Sequence, residues 1–104
     1  MKILKDNKSL EIKYCNNFFT RFKGFMLKSK IDCCLCFPKC NSIHTFFMLK
    51  PIDVVMTDKN YNIIYIYKKL KPYNIILPKK NVYYTFELPI NLFNFKIREK
   101  IKVE

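Results

Sequence analysis

The chain has 104 residues, half of them hydrophobic and 16% aromatic, and a formal net charge of +12. That length allows one domain spanning residues 1–104, and the apolar content excludes a disordered tail. Unbroken apolar runs such as residues 63–67 fall far short of the ~20 residues a membrane-spanning helix needs, so no membrane partner is expected.

The opening Met1-Lys2-Ile3-Leu4-Lys5-Asp6 has neither the apolar stretch nor the small-residue cleavage site of a secretory leader. A cytoplasmic location with reduced cysteines is therefore expected. The positive charge invites a nucleic-acid reading, but the only arginines are Arg21 and Arg98. Arginine, not lysine, has the fork suited to phosphate and base edges. Abundant Lys, Ile, Asn, Tyr and Phe with one Gly and no Trp reflect AT-rich coding, and nucleic acid is not an expected partner.

In chain order, residues 10–14 alternate apolar and polar, as a half-buried strand does. Asn16 or Asn17 can cap a short helix carrying Phe18, Phe19, Phe22 and Met26, with Gly24 at its end. Residues 32–40 hold four of the five cysteines, and Pro38 there points to an edge strand or loop. Residues 42–48 read as a strand, with Ser42, His44, Phe46 and Met48 on one side. Residues 53–57 and 61–67 form a predicted antiparallel hairpin around Asp58-Lys59-Asn60. Residues 72–78 read as an extended connection and residues 82–88 as a strand. Pro89 can open a short helix through Leu92 and Phe93, and residues 100–103 close the chain as a strand. The predicted fold class is mainly β (β-rich α+β): a small antiparallel barrel-like domain of six to seven short strands with one or two short helices.

Three segments, taken in order, carry a resemblance. Thr20-Arg21-Phe22-Lys23-Gly24-Phe25-Met26 is similar to a motif with Arg three residues before Gly-Leu-Met. Residues 40–55, with His44-Thr45-Phe46-Phe47-Met48 and Pro51-Ile52-Asp53-Val54, resemble a longer signature. Phe86-Glu87-Leu88-Pro89 is similar to a closing Leu-Glu-Leu-Pro motif. Together they resemble domain of unknown function 192, an uncharacterised family; the likeness implies a compact β-rich domain and no particular reaction. The chain departs from that pattern at Phe47, where the family has Trp. It also departs at three glycine-containing pairs, which become Asn60-Tyr61, Ile90-Asn91 and Arg98-Glu99. Asn60 is expected to take any left-handed turn conformation at the first of these.

Four groupings of residues could carry chemistry. Cys33, Cys36, Cys40 and His44 have zinc-ligand chemistry, but zinc sites draw two ligand pairs from separate elements and this is one compact run. No metal or cofactor is expected, and the cysteines read as small buried hydrophobes. Cys40 with His44 could act as nucleophile and base in a hydrolase-type enzyme, with Asp53 or Asp58 orienting the imidazole. His44, Thr45 and Asp53 sit in apolar β segments and, with Arg21 on the expected helix, must find partners if buried. They form either a structural network or a pocket for a small polar ligand, walled by Phe46, Phe47 and Met48. Finally, tyrosines interleaved with Lys68, Lys69 and Lys71 could stack single-stranded RNA. The reading preferred here is a monomeric small-ligand-binding or accessory module rather than an enzyme, with Arg21, His44, Thr45, Met48 and Asp53 at its site.

Overall fold

The computed structural model describes residues 1–17 and 24–104, and those residues contain nine strands and no helix. In chain order the strands are β1 (Lys2–Lys5), β2 (Lys8–Tyr14), β3 (Cys34–Pro38), β4 (Ile43–His44) and β5 (Ile52–Thr57). They continue with β6 (Ile63–Leu70), β7 (Ile75–Ile76), β8 (Tyr84–Leu88) and β9 (Lys102–Val103). Seven of them make one sheet in the order β6-β5-β8-β3-β2-β1-β9, while β4 and β7 pair as a small second sheet.

The β1–β2 hairpin, which the sequence pattern did not announce, turns on Asp6 (φ 53) and Asn7 (φ 62). Two left-handed residues give a turn whose twist matches that of its strands, and short polar side chains tolerate that region best. β3 runs parallel to β2, with Ile12 opposite Cys34 and Tyr14 opposite Cys36, and antiparallel to β8 on its other side. The cysteine-rich segment is thus an interior strand, not an edge. Pro38 is compatible with this because it follows the last β2 pairing and interrupts no bond to that neighbour.

The sheet curls into a half-barrel whose two edges are tied together by one segment. β9 pairs with β1 at one edge. Just before it, Ile101 N–H donates to the Tyr61 carbonyl (2.9 Å), and Ile63 N–H donates to the Glu99 carbonyl (2.9 Å) beside the other edge. Lys5 adds a charged hydrogen bond to Glu99 across this closure. Closure leaves fewer unpaired backbone groups for another chain to capture.

Both faces of the sheet are covered, which explains why all six residues of β5 are buried. Ile3, Ile12, Cys34, Cys36, Val55, Phe86 and Leu88 share one core, with Phe93 and Phe95. Cys15, Phe25, Cys33, Leu35, Phe37, Met48, Ile52, Val54 and Met56 make the second core on the opposite face. Each fully buried aliphatic side chain contributes roughly 1.5–3 kcal/mol.

Three expectations change. The strand over residues 42–48 shrinks to β4, because Thr45 is captured by the loop after β6 and Phe47 turns into the left-handed region at φ 62. The helix after Pro89 is a turn, in which Asn91 takes φ 61. At the β5–β6 turn the left-handed residue is Tyr61 (φ 65), not Asn60. The Asp58 carboxylate accepts the N–H groups of Asn60 and Asn62, and that bracket leaves Tyr61 to make the bend. The helix expected around Phe18 and Phe22 lies outside the described residues.

Tyr61, Asn91 and Arg98, each within a departure from a glycine-containing pair, all have positive φ. Arg98 is exposed, so its left-handed φ of 73 carries strain without compensating side-chain burial. Arg98→Gly should therefore raise stability by about 1 kcal/mol, read as a higher urea midpoint with unchanged slope.

Candidate functional site

Asp53 is the second residue of β5, a strand buried along its whole length. Its side chain lies on the same face as Val55, opposite Leu88 of β8, and is 4% exposed. A bare carboxylate there would be very costly. Instead Oδ1 accepts the Lys69 N–H (2.8 Å), while Oδ2 accepts Lys68 Nζ (2.9 Å) and the Asn91 N–H (3.2 Å). Lys68 Nζ also reaches the Phe93 carbonyl at 3.2 Å. The register of β5 against β6 shifts here, and Lys69 has φ 51, so the carboxylate grips a bulge. Beside it is a void of about 10 Å³, room for roughly one water and no ligand.

Thr45 is also consumed by the fold. It is fully buried; its hydroxyl donates to the Lys71 carbonyl (2.7 Å) and accepts the Asn74 N–H (2.8 Å). Its own carbonyl accepts the Tyr73 N–H at 2.9 Å. His44 Nδ1 accepts the Phe46 N–H at 3.2 Å, and its ring stacks on Phe46 at 5.1 Å. Met48 is buried in the second core. Arg21 lies outside the described residues. Asp53 thus holds the end of β6 and the turn after β8, Thr45 holds the loop that follows β6, and the two engage separate partners.

The cysteines divide between faces. Cys34 and Cys36 enter the first core; Cys15 and Cys33 enter the second. Alternation along the strand therefore separates Cys33 from Cys36. Among the described residues no group of three or more His, Cys, Asp or Glu side chains is placed to hold a metal ion. Burial pushes the Cys36 thiol up to about 12 and also raises Cys33, which disfavours the thiolates that ligation needs. Cys40 is half-buried, and its thiol donates to the Ser42 carbonyl at 3.1 Å. Both members of the Cys40–His44 pair are thus engaged by local backbone. Several tyrosine faces are likewise covered from within: Tyr61 stacks on Tyr84 at 4.8 Å, Lys59 lies over Tyr83 and Lys79 over Tyr65.

The open space is elsewhere. A cleft of about 770 Å³ lies between the ends of β2 and β3 and residues 24–32. Cys15, Phe25, Cys33 and Leu35 give it an apolar lining, and Lys13, Lys28, Lys30 and Asp32 supply charge. Behind the lining sits Glu87. Flanked across the sheet by Leu35 and Val54, it points into the second core and is 4% exposed. Its Oε1 is 3.5 Å from the position a Cβ on Gly24 would occupy, and Gly24 itself needs φ +47. Burial alone pushes the Glu87 carboxyl up to about 8, so it stays largely protonated at neutral pH. Burial, reinforced by Glu87 and then Cys33, pushes the Cys15 thiol up to about 11.

In the sequence Glu87 stands within the closing motif, and nothing beside it marks it as a site residue. On an alternating strand whose Tyr84, Phe86 and Leu88 face inward, Glu87 belongs to the outer side, which normally meets water. Nothing in the alternation of β8 signals that its outer side is covered too, because that cover comes from residues distant in sequence. Lys13 and Cys15 were missed for the same reason.

Two variants test these assignments. Asp53→Ala leaves the Lys69 and Asn91 N–H groups without their acceptor and should cost about 3 kcal/mol, with Asp53→Asn costing less; chemical denaturation reads both. For Glu87 the folded-state pKa lies above its ordinary 4.5, so stability is full below about pH 4.5 and falls as pH rises toward 8. Glu87→Gln should match wild type at pH 4 and exceed it increasingly up to pH 8, by roughly 4 kcal/mol at most, in urea midpoints measured across that range.

A family model described as Uncharacterized ACR, domain of unknown function 192, matches residues 1–104. No curated protein matches the chain. It is similar to the crystal structure of a protein of unknown function from Novosphingobium aromaticivorans, at 14% identity and a TM-score of 0.72, covering 88% of this chain and 72% of that one. It is also similar to a proposed transcription regulator from Sinorhizobium meliloti, at 16% identity and a TM-score of 0.71, covering 86% and 78%. At such identities these likenesses show the fold alone.

Proposed function

From the premise that this chain belongs to the DUF192 family, described as uncharacterised, we propose that it is a small-ligand-binding or accessory module. The observation that carries this reading is the cleft of about 770 Å³ beside β2 and β3, a size typical of small-molecule sites. Its lining combines an apolar floor with three lysines and one carboxylate, which suits a compact molecule with an apolar body and an anionic group. The protonated Glu87 behind the floor keeps negative charge away from such a ligand.

In this reading Asp53 and Thr45 hold the scaffold, and Met48 packs with Phe25 in the core beneath the cleft wall. His44 and Cys40 take no part in chemistry, since each is bound to nearby backbone. A monomer in the cytoplasm is part of the proposal; the five free cysteines, four of them buried, suit a reducing compartment.

Native mass spectrometry of the protein purified from its own host provides the test. A retained small molecule should disappear from Cys15→Phe, which fills the cleft, and from the exposed double variant Lys13→Glu/Lys28→Glu. It should persist in Cys40→Ser. Retention in both cleft variants, or its loss in Cys40→Ser, would overturn the assignment.

A further inference from the structure

Away from the main sheet, the segments around β4 and β7 present apolar side chains to solvent. Leu27, Phe47 and Tyr73 are 69%, 53% and 65% exposed. All three also have left-handed backbone, at φ 60, 62 and 64. Bulky residues rarely adopt that region, and strained backbone concentrates where a protein uses it. Here the strained turns hold large apolar side chains outward.

These side chains are neighbours, not scattered. Leu27 N–H donates to the Phe47 carbonyl at 2.9 Å. The Phe47 and Tyr73 rings meet edge-on at 6.1 Å, and Phe46 lies 6.5 Å from Tyr73. His44 pairs across β4 and β7 with Ile75, which is 57% exposed. Contiguous exposed apolar surface of this kind marks an interaction site.

The charge around it identifies the partner. The three segments that build the patch, residues 24–31, 43–52 and 69–80, contain no Asp or Glu. They carry exposed Lys28, Lys30, Lys50, Lys69 and Lys71. Apolar and aromatic tips on segments that carry exposed lysines and no carboxylate, with Asp32 next along the chain, complement a surface that is apolar below and negative above. We propose that this face docks peripherally on an anionic lipid bilayer, with Phe47, Tyr73 and Leu27 entering the headgroup layer and the lysines meeting lipid phosphates. This departs from the expectation that no membrane takes part. It also differs from spanning: no helix among the described residues is long and apolar enough to cross a membrane. The patch adjoins the cleft and shares Leu27 and Lys28 with it, so the variants that test the patch avoid both residues.

The chain has no Trp, so Phe47→Trp gives a single reporter at the centre of the patch. Ile97→Trp, at a 52% exposed site elsewhere, gives the control. Each is titrated with vesicles of phosphatidylcholine containing phosphatidylglycerol, with vesicles of phosphatidylcholine alone, and with poly(U). The expected result is a blue shift of the Phe47→Trp emission on anionic vesicles only, reversed by salt, with the control unmoved. Co-sedimentation with the same anionic vesicles should fall at least tenfold in Tyr73→Ser and in Lys69→Glu/Lys71→Glu, both folded by circular dichroism. An unshifted Phe47→Trp at saturating anionic lipid, equal partitioning onto neutral vesicles, or binding of poly(U) with vesicles ignored would overturn the proposal.

Discussion

The buried carboxylate of Asp53 is the constraint on which the described fold turns. It leaves β5, accepts the backbone of β6 at a bulge, accepts the turn after β8, and holds a lysine that reaches on to Phe93. Buried charges persist only when so many donors converge. Loss of the carboxylate would unmake the meeting point of three strands, not one contact. Thr45 repeats the device with a neutral hydroxyl, fixing the loop that follows β6. Thr45 thereby helps set where the small second sheet packs on the large one.

Glu87 shows the opposite arrangement. Asp53 is surrounded by donors and Glu87 by Leu35, Val54 and the Gly24 backbone, so one carboxyl is held by hydrogen bonds and the other is forced toward its neutral form. Two acids, one strand apart, differ because of their surroundings and not their chemistry. That difference gives the second core a polar group at the back of the cleft without a fixed negative charge.

Much of the fold was legible because period-two patterning survives AT-rich coding: the hairpin of β5 and β6, the strand at β8 and the closing strand all follow from Val, Ile, Tyr and Phe at alternating positions. The family likeness rested on three segments, the longest from Cys40 to Val55, and is shown by the match over residues 1–104. The first hairpin was hidden because Asp6-Asn7 lacks the glycine that usually announces such a turn. The end of β4 was hidden for a similar reason: nothing local in Phe46-Phe47-Met48 signals a left-handed bend that Thr45 imposes through the distant Asn74. Of the candidate site, Asp53 and Thr45 were recognisable as polar residues needing partners. The cleft was not, since it depends on β3 lying parallel to β2, a pairing between residues about twenty positions apart that no local pattern encodes.

The tie between the sheet's two edges has a consequence for how the protein is made. β1 is synthesised about a hundred residues before β9, one of its two neighbours. During translation the growing chain therefore carries an open strand edge until residues 102–104 emerge, with Lys2 and Glu104 then clasping through reciprocal backbone bonds. Such an edge invites pairing with other nascent chains. The lysines at both ends of β1, Lys2 and Lys5, place like charge on every copy where two such edges would meet.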